Sequence, residues 1–368
     1  MKNARKNLCA LAFLSLGFAA AMPTALIAQA DSINIVSTAV PFLRISPDAR
    51  AGGMGDAAIA TNPDANSPFW NLAKTAFAEK RSAISLNYTP WLRDLGLNDV
   101  YLASAAAYKK IDDNSVISGS MRFFSLGNIQ LTDFSGNVLN TVRPTEFSID
   151  GGYTRVLSEK LSLAVALRYI NSRLVVGDVG TGVVYKAGNA LAGDVSLFYN
   201  GRDVDGQGLN FGVVLSNLGL GMAYTKVMSE GNSISFALDV NKLLVPVAPT
   251  TTGVFATDSA NLSEYRNTSV VSSWMKSFSD GSSLTKSFQV SAGMEYSYNN
   301  QFKLRAGYFY EDRTRGNRRY FTAGAGFDVK FMQINVSYLV PSGSGVTRNP
   351  LSNTLRLGLV FNLSNDDF

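Results

Sequence analysis

A strict two-residue alternation runs through the last part of this chain and leaves few folds open to it. Phe302, Leu304, Ala306, Tyr308 and Tyr310 share one parity, and Lys303, Arg305, Gly307, Phe309 and Glu311 share the other. After a polar turn at Asp312 to Arg318, Phe321, Ala323, Ala325, Phe327 and Val329 alternate with Thr322, Gly324, Gly326 and Asp328. Leu355, Leu357, Leu359, Phe361 and Leu363 then stand against Arg356, Gly358 and Asn362. Side chains alternate with period two only in a β-strand. One face is unbroken and apolar, tipped with aromatics, while the charges keep to the other. That pattern fits the wall of a transmembrane barrel better than a soluble sandwich.

The same unit recurs upstream. Fourteen strand-like runs can be counted, from Ser82–Tyr88 to Asn353–Leu363. An even number suits a bacterial barrel with both termini in the periplasm. The links give an independent check. Those after even-numbered runs are mostly short and polar, such as Ser158–Lys160 and Asn299–Asn300. Those after odd-numbered runs are mostly longer, such as Ser125–Pro144, Arg173–Asn189 and Lys242–Lys286. Short periplasmic turns and long outer loops are the habit of such barrels. Asn217-Leu218-Gly219 breaks it on the outer side, being almost no loop at all.

Glu146, Asp150, Arg168, Asp194, Asp239, Glu295, Lys303, Arg305, Glu311 and Arg356 share the inward parity. A lipid-facing Arg or Lys at mid-depth would cost ~2–4 kcal/mol. These charges therefore face the lumen, where they line a pore or lock a packed interior; with a plug available, mutual pairing is the favoured expectation, since buried charges need partners.

Residues 1–30 read as a cleaved secretory signal. Lys2, Arg5 and Lys6 precede an apolar run from Leu8 to Ala21, and Ala28-Gln29-Ala30 is an A-x-A site. Cys9, the only cysteine, lies inside that apolar run, so the mature chain has neither a disulfide nor thiol chemistry. The signal also carries three of the 33 basic residues and none of the 28 acidic ones, leaving 30 against 28 in the mature chain. That near-neutral balance gives no argument for a nucleic-acid partner. The cluster Arg313, Arg315, Arg318 and Arg319 reads as a solvated loop. The mature chain has no 18-residue apolar stretch, so a helical membrane protein is excluded.

Between the signal and the first run, residues 31–80 hold four prolines, three glycines and buried-type residues including Phe42, Ile45, Trp70 and Phe77. So many breakers preclude long ladders, and the aromatics need cover. A plug, or hatch, folded inside or under a barrel of residues 81–368 satisfies both facts. Gly53-Met54-Gly55-Asp56-Ala57-Ala58 matches the dinucleotide fingerprint by letter. Pro47 before it and Asn62-Pro63 after it deny the strand and helix that the fingerprint needs. Histidine is absent, which removes His-dependent triads and the commonest zinc ligand. Asp203, Asp205 and Gly206 look like part of a calcium loop but lack its bidentate Glu. No enzyme, metal or cofactor is expected.

Several blocks of sequence carry a resemblance. Phe42-Leu43-Arg44-Ile45-Ser46-Pro47-Asp48-Ala49-Arg50-Ala51-Gly52-Gly53-Met54-Gly55-Asp56, Val240-Asn241-Lys242-Leu243-Leu244-Val245-Pro246 and Arg305-Ala306-Gly307-Tyr308-Phe309-Tyr310-Glu311 are three of them. Tyr338-Leu339-Val340-Pro341 and Asn349-Pro350-Leu351-Ser352-Asn353 are two more. Together they resemble the PorV family, outer-membrane barrels of the type IX secretion system within the wider FadL-like superfamily. The resemblance implies a fourteen-stranded antiparallel barrel with an N-terminal hatch, and it places Asp48, Arg50, Gly52, Gly53, Gly55, Asp56 and Asn71 in the hatch motif. It also implies a non-enzymatic role in secretion. The barrel would bind C-terminal signal domains of cargo leaving a SprA/Sov-like translocon and pass them to attachment machinery with a PorU-like sortase. Its surroundings would be outer-membrane lipid. Two departures stand out. The family usually has Asn-Pro-Ala where this chain has Asn71-Leu72-Ala73, and a longer insertion after Ser216-Asn217-Leu218-Gly219.

The rival expectation is a FadL-type transporter of fatty acids or other hydrophobic compounds, which needs a greasy path through hatch or wall. The charged inward positions argue against it. The outer link Lys242–Lys286, 45 residues long, is too rich in apolar groups to be disordered. Trp274 and Phe278 have helical spacing there. They would anchor a partner at the rim, or the link would fold over the mouth as a lid.

Overall fold

The alternation closes into a ring. In the computed structural model, fourteen antiparallel strands pair in sequence order and the first meets the last. They are β1 (Ser82–Pro90), β2 (Val100–Asp112), β3 (Ser115–Leu126), β4 (Thr145–Ser158), β5 (Leu161–Arg173), β6 (Gly188–Arg202) and β7 (Gly208–Leu215), then β8 (Leu218–Ser229), β9 (Asn232–Lys242), β10 (Phe288–Tyr298), β11 (Phe302–Glu311), β12 (Arg319–Val329), β13 (Met332–Pro341) and β14 (Thr354–Asn362). The structure describes residues 40–93, 96–132, 135–174, 177–178, 184–279, 284–341 and 354–363. The signal-peptide reading, and the family block from Asn349 to Asn353, lie outside the described residues.

Parity sorts the side chains as the sequence implied. On β14, Leu355, Leu357 and Leu359 are exposed to the outside and Arg356 is buried within. Leu167 and Leu191 are 75% and 83% exposed on the outer wall. In water this would be unfavourable, but against lipid tails it is what the wall requires. Aromatic pairs gather towards both ends of the wall. Tyr88–Tyr101 (5.5 Å) and Tyr308–Phe321 (4.7 Å) lie towards the long-loop end. Tyr199–Phe211 (6.4 Å) and Phe302–Phe327 (4.9 Å) lie towards the short-turn end. Such girdles mark the two membrane interfaces, and the short turns identify the periplasmic one.

The closing seam pairs β1 with β14 from Ala83↔Asn362 to Tyr88↔Leu357. The short outer link is tighter still than the sequence suggested. Leu215 pairs with Leu218, so only Ser216 and Asn217 turn the chain. Elsewhere the links add structure. Ile129–Thr132 pairs with Val138–Val142 as a hairpin beyond β3. The β9–β10 link holds α2 (Phe255–Asn267) and α3 (Val270–Lys276).

The barrel strands begin and end at the periplasmic side, and the first described residues lie at the outer one. Phe42 and Ile45 cluster with Val100, Leu102 and Phe124, and Val40 and Trp91 pack against them. Those are outer-end residues of β2 and β3 and the β1–β2 link, so the chain enters the lumen from the outer mouth. It winds down through the ring as a 3-10 turn (Pro41–Arg44), α1 (Ala49–Gly53) and two further 3-10 turns (Ser67–Phe69 and Leu72–Phe77) before leaving into β1. The segment is short of regular structure because its polar backbone is satisfied by wall side chains rather than by ladders. Gly55 N donates to Thr322 Oγ1 at 2.8 Å, and Ala58 N and Ile59 N donate to Asp239 Oδ2 at 2.6 and 2.8 Å.

Wall glycines make room for this segment. A Cβ built on Gly307 would lie 2.1 Å from the carbonyl carbon of Met54, and one on Gly221 2.6 Å from Ile59 Cβ. The buried segment gives a direct test. Ala57 and Asn66 are buried, and Arg313 is exposed. In intact cells, Ala57→Cys and Asn66→Cys should react with a membrane-impermeant maleimide at least tenfold more slowly than Arg313→Cys. Equal rates would place residues 57–66 outside the ring.

Candidate functional site

The site is the interior of the ring, where the hatch meets the charged wall. Each hatch residue singled out in the sequence makes a specific bond there. Asp48 caps α1, accepting from Ala51 N at 2.8 Å and from Trp70 Nε1. Burial, with the nearby Asp64 carboxylate, pushes the Asp48 carboxyl up to about 6. Arg50 forks onto Glu295 through Nε (3.1 Å) and Nη2 (3.0 Å), and its Nη1 donates to Asp64 Oδ2 (2.8 Å) and Asn62 O (2.9 Å). Glu295 also takes Arg305 Nε at 2.6 Å, and Arg305 Nη1 donates to Asn335 at 2.8 Å. Paired guanidinium forks of this kind fix geometry as well as charge.

Gly52 and Gly53 bring α1 against the wall. A Cβ at Gly52 would meet Arg356 Nη1 at 2.3 Å, and one at Gly53 the Gly324 Cα at 3.1 Å. Gly55 has φ +67, and Asp56 follows at φ 63. Both lie in the left-handed region, which glycine and aspartate tolerate best. The turn aims Asp56 outward to accept from Tyr320 Oη (2.6 Å) and Arg356 Nη1 (3.1 Å). Asn71 holds two distant strands of chain together, donating to Ile59 O (3.1 Å) and Leu197 O (3.0 Å) while accepting from Ala73 N (3.1 Å). The variant residue Leu72 fits here through the wall rather than the turn: a Cβ on Gly152 would touch Leu72 Cδ2.

Most of the inward charges are paired, as their burial demands, whereas Glu146 takes Ser172 Oγ at 2.6 Å and Asp239 the backbone amides of Ala58 and Ile59. Arg168 bridges Asp150 and Asp194, the latter at 2.8 Å, and Lys303 meets Asp328 at 2.5 Å. Glu311 receives Arg44 and Arg318, each at 2.7 Å. The arginine cluster is thereby corrected. Arg313 is exposed, but Arg315 is buried, Arg318 bonds Glu311, and Arg319 covers the Tyr310 ring at 4.7 Å. A carboxylate at the end of β11 draws the loop inward. The sequence reading missed Lys74, wholly buried and donating to Ala58 O (2.7 Å) and Thr61 Oγ1 (3.1 Å). Burial brings its ammonium down to about 8. It also missed Arg122, which reaches Leu43 O (3.0 Å) and Phe69 O (3.2 Å). Arg122 shares the inward parity of Ser120 and Phe124, so period two would have found it. Lys74 lies in a stretch with no period to follow.

Asp203 Oδ1 accepts from Asp205 N and Gln207 N at 3.1 and 2.9 Å, the bonds of a polar turn. Among the described residues no acidic group has the makings of a metal site.

The family model for the type IX secretion system protein PorV matches residues 28–211, half of the chain, including the whole hatch motif. This chain belongs to the PorV family. No curated protein matches the sequence. Three solved structures are similar in fold. The Pseudomonas putida toluene transporter TodX is 12% identical, with 89% of this chain and 98% of that one covered and a TM-score of 0.51. The CymD monoaromatic hydrocarbon channel is 10% identical, with 91% and 100% covered and a TM-score of 0.51. The Ralstonia pickettii toluene transporter TbuX is 10% identical, with 87% and 97% covered and a TM-score of 0.50. At such identities the likeness is one of fold. It agrees with a multi-pass barrel of the outer membrane.

This PorV-family barrel carries a third feature at its rim. Val270, Val271 and Met275 of the outer link are exposed, and Trp274 and Phe278 are 46% and 41% exposed. Trp274 lies in α3, but Phe278 follows it, set over the Lys242 ammonium at 5.0 Å. Lys242 Nζ also donates to Ser277 O at 2.7 Å. Phe278 thus helps fix the link to the rim, while Trp274, like Phe255 of α2, stands out from it.

The ion cluster supplies a test. Removing one partner of a buried pair typically costs about 3–5 kcal/mol. Glu295→Ala should lower the unfolding free energy of the detergent-solubilised barrel by about that amount and raise hydrogen exchange across residues 48–64. Unchanged exchange there would deny the cluster its part in holding the hatch.

Proposed function

We propose that this barrel is a non-enzymatic receiving station for secreted proteins. It binds their C-terminal signal domains as they leave a SprA/Sov-like translocon and hands them to surface-attachment machinery that includes a PorU-like sortase. The observation that carries the reading is the state of the lumen. Hatch and wall are joined by buried ion pairs at Glu295, Asp56 and Glu311, and the strands pair without interruption around the ring. A folded protein has no way through such an interior. What the barrel can offer cargo is its outer surface.

The hatch motif, on this reading, serves as a rigid floor for that surface. Trp274 supplies the kind of large, half-exposed anchor on which interfaces concentrate their binding energy. Transport of hydrophobic compounds, as by the toluene transporters TodX and TbuX, finds less support. The cavity on the periplasmic side of the hatch is lined by ten charged side chains, where an apolar solute would lose its favourable surroundings.

Trp274→Ala with Phe278→Ala should leave the barrel heat-modifiable and inserted. Capture of cargo C-terminal domains in pull-downs from solubilised outer membranes should weaken by the order of tenfold or more, since anchors of this type contribute ~2 kcal/mol each. Normal capture and normal secretion would make the link a lid and place the binding surface elsewhere. A wild-type barrel that co-purified only with lipid, never with a large barrel or cargo, would favour the transporter.

A further inference from the structure

The lipid-facing wall has a hollow at the periplasmic end of β1, β2 and β3, beside the closing seam. Its volume is about 890 Å³. Four cationic side chains line it, Lys80, Arg81, Lys109 and Lys110, against one carboxylate, Glu79. Strand register brings the two basic pairs together. Ser82 pairs with Lys109, and Lys110 N donates to Arg81 O at 2.8 Å. The carboxylates of the β2–β3 turn do little to neutralise them. Arg81 reaches Asp113 at 3.6 Å with both side chains mostly in the open, and an exposed pair of that kind contributes little. Asp112 accepts from its own turn, from Asn114 N at 2.7 Å. Neither Lys109 nor Lys110 enters an ion pair among the described residues.

The cluster stands at the height of the lipid head groups. Lys109 pairs with Ile117, and Ile117 with Tyr153, an exposed tyrosine of the outer wall at the short-turn end. Tyrosines so placed mark the membrane–water interface, and basic side chains there attract anionic lipid.

A second observation concerns the wall just above. One outward row of the sheet runs Ile84, Ala107, Gly119, Gly151 and Leu167 across β1 to β5. Ile84 and Leu167 are exposed, and between them three positions carry a methyl group or nothing. The protein itself has no need of these two glycines. Neither has a left-handed φ. A Cβ on Gly151 would meet nothing within 4 Å, and one on Gly119 only Asp150 O at an ordinary 3.5 Å. At Gly307 and Gly221, by contrast, the hatch fills the space. Glycine weakens a strand interior, and it often marks the place where a ligand comes close. Here that approach is from the membrane side.

Size and lining narrow the class of ligand. The hollow equals roughly thirty waters at ~30 Å³ each, far more than a bare phosphate fills. Ile84, Ile117 and Leu363 share its lining with the cations. An anionic head joined to hydrocarbon answers both halves.

We propose that this hollow binds one anionic phospholipid of the periplasmic leaflet. Its phosphate lies among Arg81, Lys109 and Lys110, and an acyl chain rests on the bed of Ala107, Gly119 and Gly151. Leu363 follows the end of β14 and Ser82 begins β1; Leu363 N donates to Ser82 O at 3.0 Å, and Ser82 Oγ to Leu363 O at 3.0 Å. The lipid therefore spans the seam and helps to keep it shut.

The test uses the full barrel in detergent, incubated with phosphatidylglycerol or phosphatidylcholine of the same acyl chains and followed by native mass spectrometry. Phosphatidylglycerol should be retained at least tenfold more strongly, one molecule per barrel, and should raise the midpoint of the heat-induced gel shift. Lys109→Gln with Lys110→Gln should weaken its retention by tenfold or more, since each cation beside an anionic head group is worth about fivefold. Gly151→Leu fills the bed without touching the interior and should weaken retention about fourfold, the worth of one buried methylene. Lys226→Gln, exposed at the periplasmic end of β8, should change nothing. All three variants should remain heat-modifiable. Equal retention of the two lipids, retention unmoved in either variant of the hollow, an equal loss in Lys226→Gln, or displacement of the lipid by inorganic phosphate overturns the proposal. So does a barrel dimer that Gly151→Leu dissolves, for the bed would then belong to a second copy of the chain.

Discussion

Arg50 on Glu295 is the contact on which the interior depends. A barrel wall in lipid can carry charge only on its inner face, and that face here is full of it. An inward carboxylate such as Glu295 is tolerable only with a partner, and the wall supplies one, Arg305. The second comes from the hatch. The hatch in turn has little regular structure with which to hold its own shape. Each component therefore completes the other: the wall gives the hatch its hydrogen-bond partners, and the hatch gives the wall its counter-charges. Replacing such a cluster with apolar side chains of equal volume could be neutral for stability. What the ions contribute is register, since a guanidinium fork accepts only one placement of α1.

That mutual dependence explains what could be read in the sequence. The wall was legible because lipid imposes a two-sided pattern on each strand, and period two survives in single residues: Leu355 outside, Arg356 inside, Leu357 outside. The strand number and the alternation of short and long links followed from it. The hatch obeys no period. Its breakers and aromatics showed that it must be enclosed, but nothing local could show that Asn71 would bind Leu197 or that Lys74 would be buried without a carboxylate among its bonded partners. The arginines after Glu311 misled for a related reason. A loop of charges looks solvated until a buried carboxylate is placed beneath it.

The resemblance to a known family and the physical reading of the residues meet at the glycines. Gly52 and Gly53 are in the family motif, while Gly307 and Gly324 belong to the wall. The structure sets Gly53 against Gly324 and Gly55 against Gly307, backbone to backbone, while Gly52 leaves room for the Arg356 side chain. A side chain on either would hold the hatch off the wall and part Arg50 from Glu295. The motif is thus half of a fitted pair, and its letters make sense only beside strands 245 to 267 positions later in the chain.

The direction in which the hatch enters has a consequence for assembly. The described chain starts near the outer mouth, passes down the lumen and only then becomes β1. β1 must find β14, the last strand made, to shut the ring. A closed barrel offers no slot through which residues 40–81 could afterwards be inserted from the side. The segment must be lying along an open, curved sheet when the first and last strands meet, and the seam sets around it as a cask is hooped around its bung. Closure is then a contact between the two extremes of the sequence, the slowest kind for a chain to find unaided.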